Sequence, residues 1–265
     1  MVREVFGMRA IILAAGTGKR LYPLTKETPK LLLKIGDDLT ILEEQLFSLK
    51  ECGVRDIILV TGYLSRKIER FIRDRNETHI KIVFNPFYEI TNNLVSLWMA
   101  RYYFDDDFMV LNGDNIFHPS VSQALLNEQK SRGMYMVIDR KDEYSDEDMK
   151  VITKSDRVLR VGKKIPLHQA NGESIGMVKV ANEGKKKLYN ILDNMVRKKA
   201  NLNAFWLAAI QKYIDEENGL NYVEVPVNSW AEIDFHQDLV NVKEKLAKLL
   251  DQYWARRSID HLISY

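Results

Sequence analysis

Short apolar runs alternate with amphipathic segments through the first 115 residues, and this alternation restricts the fold more than any other feature of the sequence. Strands are predicted at Arg9–Ala15, Asp56–Thr61, Ile80–Phe84 and Asp107–Leu111. Helices are predicted between them, at Leu39–Cys52, Ser65–Arg75 and Asn93–Tyr103. Because the strands are apolar on both faces, they predict a parallel sheet that helices cover on both sides.

The order of elements changes after Asp114. Strands are predicted at Tyr135–Asp139, Met149–Thr153, Val158–Val161, Ser174–Val180 and Tyr222–Val225, and the second and third of them form a hairpin. Helices are predicted at Lys185–Lys198, Leu202–Glu217 and Phe235–Trp254. No repeat or low-complexity linker interrupts the pattern, so we expect a single domain over residues 8–265, preceded by a short extension at 1–7.

Composition excludes several classes of protein. The chain has 39 Lys and Arg residues against 37 Asp and Glu residues, a net charge of +2, so it lacks the basic excess of a general nucleic-acid surface. Its one cysteine, Cys52, cannot form a disulfide framework within the chain. No apolar run has the length of a signal region or of a membrane span, which predicts a cytoplasmic protein.

The segment after the first strand reads AAGTGKR and has the character of a phosphate loop. A loop of the ATP-hydrolysing class would need glycine in place of Leu13 and a hydroxyl residue in place of Arg20. A dinucleotide loop would need glycine in place of Leu21 and a helix that Pro23 disfavours. Neither class fits.

The remaining features still favour a polyanion over a plain glycine turn. Small residues from Ala14 to Gly18 would let backbone N–H groups approach phosphate oxygens closely. Lys19, Arg20 and Lys30 add three cations, which would repel one another without an anionic partner. The segment therefore predicts a polyphosphate site.

The pattern L-A-A-G-x-G-x-R-L-x-P-L-T-x-x-x-P-K, from Leu13 to Lys30, resembles the signature of sugar-phosphate nucleotidyltransferases, and the similarity continues from Arg9 to about Leu239. The resemblance implies an α/β nucleotidyltransferase (GT-A-like) fold with a Rossmann-like mixed central sheet flanked by helices. Residues 8–115 would form the nucleotide-binding half and 116–265 the acceptor-binding half. A phosphomonoester oxygen would attack the α-phosphorus of a nucleoside triphosphate, and pyrophosphate would leave.

Two acidic positions are candidates for Mg²⁺, which prefers hard oxygen ligands together with phosphates. Asp114 follows a buried strand, where open α/β sheets bind ligands. Glu232 and Asp234 alternate in an extended segment and so lie on one side of it. The resemblance implies that Asp114 and Asp234 hold the ion.

The resemblance also assigns the remaining catalytic and nucleotide residues. Lys19 and Arg20 would stabilise the leaving pyrophosphate, and Lys30 the charge on the α-phosphate. The residues expected at the nucleotide are Leu13, Ala14, Ala15, Gly16, Thr17, Gly18, Lys19, Gly62, Asn93 and Ser96. The run NNLVSL, which begins at Asn92, is similar to the N-N-x-x-S-L pattern of the cytidylyltransferase branch and implies CTP.

Two acceptors compete in that branch, inositol 1-phosphate and phosphocholine. A choline site needs an aromatic cage with nearby acids, and the segment Asn203–Leu207 contains no acid. The run from Asp148 to Lys163 resembles a pattern of inositol-1-phosphate cytidylyltransferases, so the favoured product is CDP-inositol, a precursor of compatible solutes. The acceptor residues expected are Lys150, Glu173, Lys179 and Glu232.

Three further interpretations stay open at this point. The acceptor could be a hexose 1-phosphate, and a nucleotide-sensing regulatory subunit is the non-enzymatic alternative. The sequence also allows a homodimer. Because no membrane span is predicted, a membrane alcohol phosphotransferase that used the product would be a separate chain.

Overall fold

A computed structural model describes residues 8–36, 38–128, 133–217 and 219–242. The strands in these ranges are β1 (Met8–Ala14), β2 (Asp56–Thr61), β3 (Ile80–Phe84), β4 (Asp107–Asn112), β5 (Asn115–Phe117), β6 (Met134–Asp139), β7 (Lys150–Lys154), β8 (Arg157–Val161), β9 (Gly172–Val180), β10 (Leu220–Glu224) and β11 (Trp230–Glu232). The helices are α1 (Ile41–Glu51), α2 (Ser65–Asp74), α3 (Asn93–Met99), α4 (Pro119–Asn127), α5 (Glu183–Val196) and α6 (Leu207–Glu217).

Nine strands form one mixed sheet in the order β3-β2-β1-β4-β9-β6-β10-β8-β7. The four strands from the first half of the chain pair in parallel, whereas β9 runs antiparallel to both β4 and β6. The mixed α/β sheet that the resemblance implied is therefore confirmed. Because β9 lies between strands of both halves, a single sheet carries the residues of both.

Helices cover both faces of this sheet. Ala10 and Ile12 of β1 pack in one buried cluster, and their neighbours Ile11 and Leu13 pack in another. The first cluster includes residues of α1 and α4, and the second includes residues of α3, α5 and α6. Strand β1 is apolar on both faces because helices cover the sheet on both sides, as the sequence predicted.

The strands β5 and β11 form a separate antiparallel ribbon beside the main sheet. Glu232 pairs with Asn115 in this ribbon, and Ile233 N donates to Asp114 O at 3.1 Å. Gln45 of α1 holds the turn between β4 and β5, because its Nε2 donates to the carbonyl oxygens of Asn112 and Asn115 at 2.9 Å and 2.7 Å. The segments that carry Asp114 and Asp234 are held together by these bonds.

The structure differs from the predicted elements in several places. Helix α4 and strand β5 were not predicted, and β11 lies in a segment predicted only to be extended. Helix α6 begins at Leu207 rather than at 202, because the segment before it is tied to α3: Asn92 N donates to Leu202 O, and Trp206 N donates to Asn93 Oδ1.

Two predictions fall partly or wholly outside the described residues. The extension at 1–7 lies outside them, as does most of the predicted closing helix, of which 236–242 is described and helical. Within the described ranges, no helix combines the length and the apolar character that crossing a membrane would require.

Candidate active site

A cleft of about 420 Å³ opens at the carboxyl ends of β1 and β4. Its lining includes most of the residues predicted for the nucleotide, namely Leu13, Ala14, Ala15, Gly16, Gly18, Lys19, Asn93 and Ser96. Thr17 and Gly62 are not part of the lining. The position of the cleft agrees with the rule that open α/β sheets bind ligands beyond the carboxyl ends of their strands.

Glycine is required at two positions around this loop for different reasons. Gly18 has φ +63°, and a Cβ there would lie 3.2 Å from Thr25 Cγ2. The hydroxyl of Thr25 donates to Gly18 O at 2.7 Å, which holds the turn in this left-handed conformation. A Cβ on Gly62 would lie 2.7 Å from Ala15 O, so Gly62 lets the end of β2 pack closely against the phosphate loop.

Lys30 lies between the two predicted metal ligands. Its Nζ is 2.8 Å from Asp114 Oδ2 and 2.7 Å from Asp234 Oδ1. Burial opposes the charge of Lys30, but the two carboxylates outweigh burial and raise the pKa of the ammonium above its ordinary value. Burial would likewise raise the pKa of Asp234, yet Lys30 and Arg20 lower it. Lys30 and Asp234 are therefore both charged at neutral pH.

Glu232 completes an acidic group with these two residues. One carboxylate oxygen from each of Asp114, Glu232 and Asp234 lies within 4.8 Å of the others. The side chain of Glu232 is exposed, but its position in the cleft and the charges of Asp114 and Asp234 raise its pKa to about 8. Asp114 Oδ1 is buried and accepts no hydrogen bond from the described residues. Such a set of oxygen donors suits a hard divalent cation.

Arg20 joins this group to the acceptor-binding half. Its Nη1 is 2.9 Å from Asp234 Oδ2, and its Nη2 is 3.2 Å from Glu147 Oε2. The same oxygen of Glu147 is 3.2 Å from Lys163 Nζ. Phe235 packs beside Arg20, with the guanidinium carbon 5.2 Å from the ring centroid. All of these charged side chains line the cleft.

The opposite wall of the cleft is fixed by amide side chains and a tryptophan. Trp206 is 1% exposed, and its Nε1 donates to Asn112 Oδ1 at 2.9 Å. Asn93 Oδ1 accepts from Trp206 N, and Asn85 Nδ2 donates to Ser96 Oγ at 3.1 Å. The side chains of Asn93 and Ser96 therefore shape the wall through bonds within the protein.

The two lysines predicted for the acceptor phosphate are not among the residues that line the cleft. Lys150 is fully buried, and its Nζ donates to carbonyl oxygens, the nearest being Ser145 O at 2.9 Å. Lys179 is 7% exposed, and its Nζ donates to Glu128 O at 2.9 Å. In this structure both ammonium groups donate to backbone carbonyls, and the assignment of these two lysines to the acceptor phosphate stays a prediction. The cleft instead brings together Glu173, Glu232 and Lys163.

A second cavity of about 310 Å³ adjoins the cleft and shares Glu147, Glu173, Glu232 and Asp234 with it. Its lining is strongly acidic, with carboxylates at Asp139, Glu147, Asp148, Glu173, Glu232, Asp234 and Asp238. Lys141 is the one basic residue among the described lining residues, and it pairs with Asp148 at 2.8 Å and Glu173 at 2.6 Å.

The acidic character of this cavity affects Glu173 directly. Burial, together with the nearby Asp148 and Asp139, raises the pKa of Glu173 to about 7, although Lys141 acts in the opposite direction. Two aromatic side chains, Trp230 and Phe235, also line the cavity. The acids that were sought at Asn203–Leu207 are thus supplied by other segments.

Glu147, Trp206 and Lys163 are among the lining residues that the sequence did not assign to the site. Glu147 lies in an irregular loop whose composition gives no signal. Trp206 falls within the predicted helix Leu202–Glu217, yet it precedes α6 and its Nε1 donates to Asn112 Oδ1. Lys163 could have been found, because it follows Gly162 in the pattern from which Lys150 was chosen.

Comparisons with known proteins agree with this geometry. The chain is 28% identical over 250 residues to the choline-phosphate cytidylyltransferase of Streptococcus pneumoniae, covering 90% of this chain and 98% of that protein. It is 26% identical over 253 residues to the CTP:phosphoglutamine cytidylyltransferase of Campylobacter jejuni, covering 88% and 98%.

Solved structures and a family profile extend the comparison. The inositol-1-phosphate CTP transferase from T. maritima is 24% identical, with a TM-score of 0.76 over 92% of this chain and 97% of that one, which shows a shared fold. The profile of the nucleotidyl transferase family matches residues 9–249. With the phosphate loop, the acidic group and the fold in agreement, the chain belongs to the nucleotidyl transferase family and is a nucleotidyltransferase.

Proposed function

We propose that this protein transfers CMP from CTP to a phosphorylated alcohol and releases pyrophosphate. The observation that carries the proposal is the contact of Lys30 with Asp114 and Asp234 beside the small-residue loop in one cleft. That arrangement combines a phosphate cradle with cations and acids. The two relatives named as cytidylyltransferases support CTP as the nucleotide.

Asp114 and Asp234 would hold Mg²⁺, with Glu232 beside them. The fit is supported by their oxygen donors and by the buried, unbonded Oδ1 of Asp114. When bound, the ion would neutralise charge that develops on the phosphates. Removing divalent cations with a chelator should abolish turnover, and full turnover in the chelator would contradict this assignment.

The residues of the chain bind and orient both phosphates. Backbone N–H groups of 14–18 would cradle the triphosphate. Arg20 and Lys19 would stabilise the leaving pyrophosphate, and Lys30 the negative charge at the α-phosphate. No general base is required, because the attacking phosphate monoester is already an anion at neutral pH. Catalysis then consists of positioning and electrostatic stabilisation.

Among the acceptors, inositol 1-phosphate remains our first candidate from the sequence. Carboxylates such as Glu173 and Glu232 can accept hydrogen bonds from ring hydroxyls. Lys163 replaces Lys150 and Lys179 as the proposed partner of the acceptor phosphate, because its side chain lines the cleft. A hexose 1-phosphate would use the same donors and acceptors.

Phosphocholine is a second candidate, favoured by the second cavity. Seven acidic side chains, two aromatic residues and, among the described lining residues, one lysine surround a space of about 310 Å³. A bound cation would favour the ionised forms of Glu173 and Glu232, whose pKa values are raised without it. Such surroundings favour a small organic cation over a neutral group. The sequence argument against choline relied on the absence of acids at Asn203–Leu207, and that argument weakens once acids from other segments line the site.

A panel of acceptors tests both candidates. CTP, UTP, dTTP and GTP would each be combined with inositol 1-phosphate, phosphocholine, glucose 1-phosphate and 3,3-dimethylbutyl phosphate, and pyrophosphate release would be measured. Dimethylbutyl phosphate has the shape of phosphocholine without its positive charge, so it isolates the effect of charge. Turnover with phosphocholine but not with inositol 1-phosphate would overturn our first candidate. Absence of pyrophosphate release in every combination would favour a nucleotide-sensing subunit.

Three parts of the sequence interpretation remain proposals. They are the cytoplasmic location, a homodimer, and the use of the product by a separate membrane alcohol phosphotransferase. Incubation of radiolabelled product with a membrane fraction tests the last one, which fails if the soluble fraction alone consumes the label.

A further inference from the structure

Lys150 has an unusual environment for a charged side chain. It is fully buried, and its ammonium donates to main-chain oxygens of a single loop: Ser145 O at 2.9 Å, Asp146 O at 3.4 Å and Asp148 O at 3.5 Å. Burial of an ammonium is unfavourable unless hydrogen bonds replace its water. Since the loop supplies those bonds, Lys150 and the loop 145–148 hold each other in one conformation.

Side-chain contacts of Asp148 also stabilise the loop 145–148. The carboxylate of Asp148 accepts from Ser145 N at 2.7 Å and from Ser145 Oγ at 2.9 Å, and Lys141 pairs with it at 2.8 Å. Glu147 lies between these fixed points. Its side chain is 60% exposed and extends into the cleft.

Glu147 makes an ion pair with one cation from each half of the protein. Its Oε2 is 3.2 Å from Arg20 Nη2 and 3.2 Å from Lys163 Nζ. These two cations lower the pKa of Glu147, Lys163 more strongly than Arg20. The carboxylate therefore occupies a position between two cations, which is also where an oxygen of a phosphate would be stabilised.

An anionic substrate and Glu147 compete for the same cations. A triphosphate in the cleft brings several negative charges close to Glu147, and like charges at this distance repel. The two ion pairs are partly exposed, with Arg20 at 47% and Lys163 at 29%, so they contribute little stability and exchange readily. A ligand with several phosphates gains further contacts at Lys19 and the loop, which a single phosphate does not.

We propose that Glu147 sets the affinity and selectivity of the cleft for polyphosphates, because it pairs with Arg20 as well as Lys163 until the nucleotide displaces it from Arg20. Lys150 is a positioning residue that keeps Glu147 in place through the loop 145–148. The inference rests on the proposed function only in that Arg20 faces the phosphates of the nucleotide. It gives Lys150 a role without any contact with substrate.

The test is the affinity of Glu147→Gln for CTP, measured by calorimetry at low ionic strength. Loss of the competing carboxylate should lower the dissociation constant about threefold to tenfold, on the scale of exposed ion pairs. The gain should shrink as salt is added, because salt screens exposed charges. The affinity for inorganic phosphate should rise by at least the same factor, because Glu147 no longer discriminates against a single phosphate. Unchanged or weaker binding of CTP would overturn the inference.

Glu143→Gln is the matched control. Glu143 is an exposed acid in the same connection between β6 and β7, and it is not part of the cleft lining. The substitution removes the same charge, so it should leave the affinity for CTP unchanged. An equal gain in Glu143→Gln would show a general effect of net charge and would overturn the role of Glu147.

Lys150→Met tests the positioning role. If Lys150 acts through Glu147, this variant should also bind CTP more tightly. The variant that combines Lys150→Met with Glu147→Gln should then bind CTP no more tightly than Glu147→Gln alone. Additive gains would overturn the role of Lys150, and circular dichroism would show whether the variant is folded.

If the wild-type protein bound no CTP, the proposed function would fail. Binding that Glu147→Gln leaves unaltered would contradict only the role of Glu147.

Discussion

Lys30 in the nucleotide-binding half and Lys150 in the acceptor-binding half are both shielded from solvent, with 15% and 0% exposure, yet their partners differ. Lys30 pairs with two carboxylates on the wall of the cleft, whereas Lys150 donates to backbone carbonyls away from it. A lysine held by side-chain charges can exchange them for a phosphate. A lysine whose hydrogen bonds maintain the backbone cannot do so without unfolding its loop.

The largest effect is expected at Asp114, in the half with the exchangeable charges. Asp114→Ala removes a proposed ligand of Mg²⁺ and a partner of Lys30, so turnover should fall at least about 100-fold. Pyrophosphate release measures this loss. Asp156→Ala, in the turn between β7 and β8, is the control and should keep normal turnover. Near-normal turnover in Asp114→Ala would remove Asp114 from the metal site.

Replacing each lysine by methionine addresses the comparison directly. Lys30→Met should reduce turnover roughly 30- to 100-fold, because the α-phosphate loses a charge contact. Lys150→Met should instead lower the free energy of unfolding by about 1–3 kcal/mol, since buried carbonyls lose their donor. Urea denaturation and steady-state kinetics on both variants separate the two outcomes. If both variants lost turnover equally with unchanged stability, the distinction between the two lysines would fail.

Glu173, in the acceptor-binding half, should make the free energy of unfolding depend on pH. Its pKa of about 7 exceeds the ordinary value of 4.5, so the native protein retains a proton that the unfolded chain has lost. The free energy of unfolding should therefore fall as pH rises from about 4.5 to 7, by up to about 3 kcal/mol from this group. Glu173→Gln should show a flatter pH profile in urea denaturation. Parallel profiles for wild type and variant would contradict the raised pKa.

The smallest effect is expected at Lys179, which the sequence predicted for the acceptor phosphate. Its ammonium donates to Glu128 O outside the cleft lining, and burial lowers its pKa. Lys179→Met should leave the KM for the acceptor unchanged within error. A large rise in this KM, with CTP kinetics unaltered, would restore the original prediction.

The fold was largely predictable because the signals for it are local. The apolar runs that became β2 and β3 have the predicted bounds, and β1 and β4 differ by at most one residue at each end. The ribbon of β5 and β11 was not predictable, since three-residue strands leave no periodic pattern. Helix α6 started later than predicted because Asn93 binds Trp206 N from a distant part of the chain.

The site was predictable where a motif fixes both residue type and spacing. The resemblance assigned Arg20, Lys30, Asp114 and Asp234 one by one, and all four line the cleft. The pattern that contains Lys150 specifies a lysine but not its surroundings, and Lys179 was predicted from its residue type alone. Nothing in a local pattern distinguishes a lysine that faces solvent from one that donates to carbonyls of its own loop. The acidic lining of the second cavity likewise depends on how separate segments pack.

The ribbon of β5 and β11 has a consequence for how the protein folds. Asp234 follows β11, and its partner Lys30 is 204 residues earlier in the chain. Contacts across such separations form slowly, because closing a long loop costs entropy before any interaction is gained. The complete cluster of charges therefore assembles only after the last described strand has docked. During refolding, CTP binding should therefore appear no earlier than the docking of this ribbon.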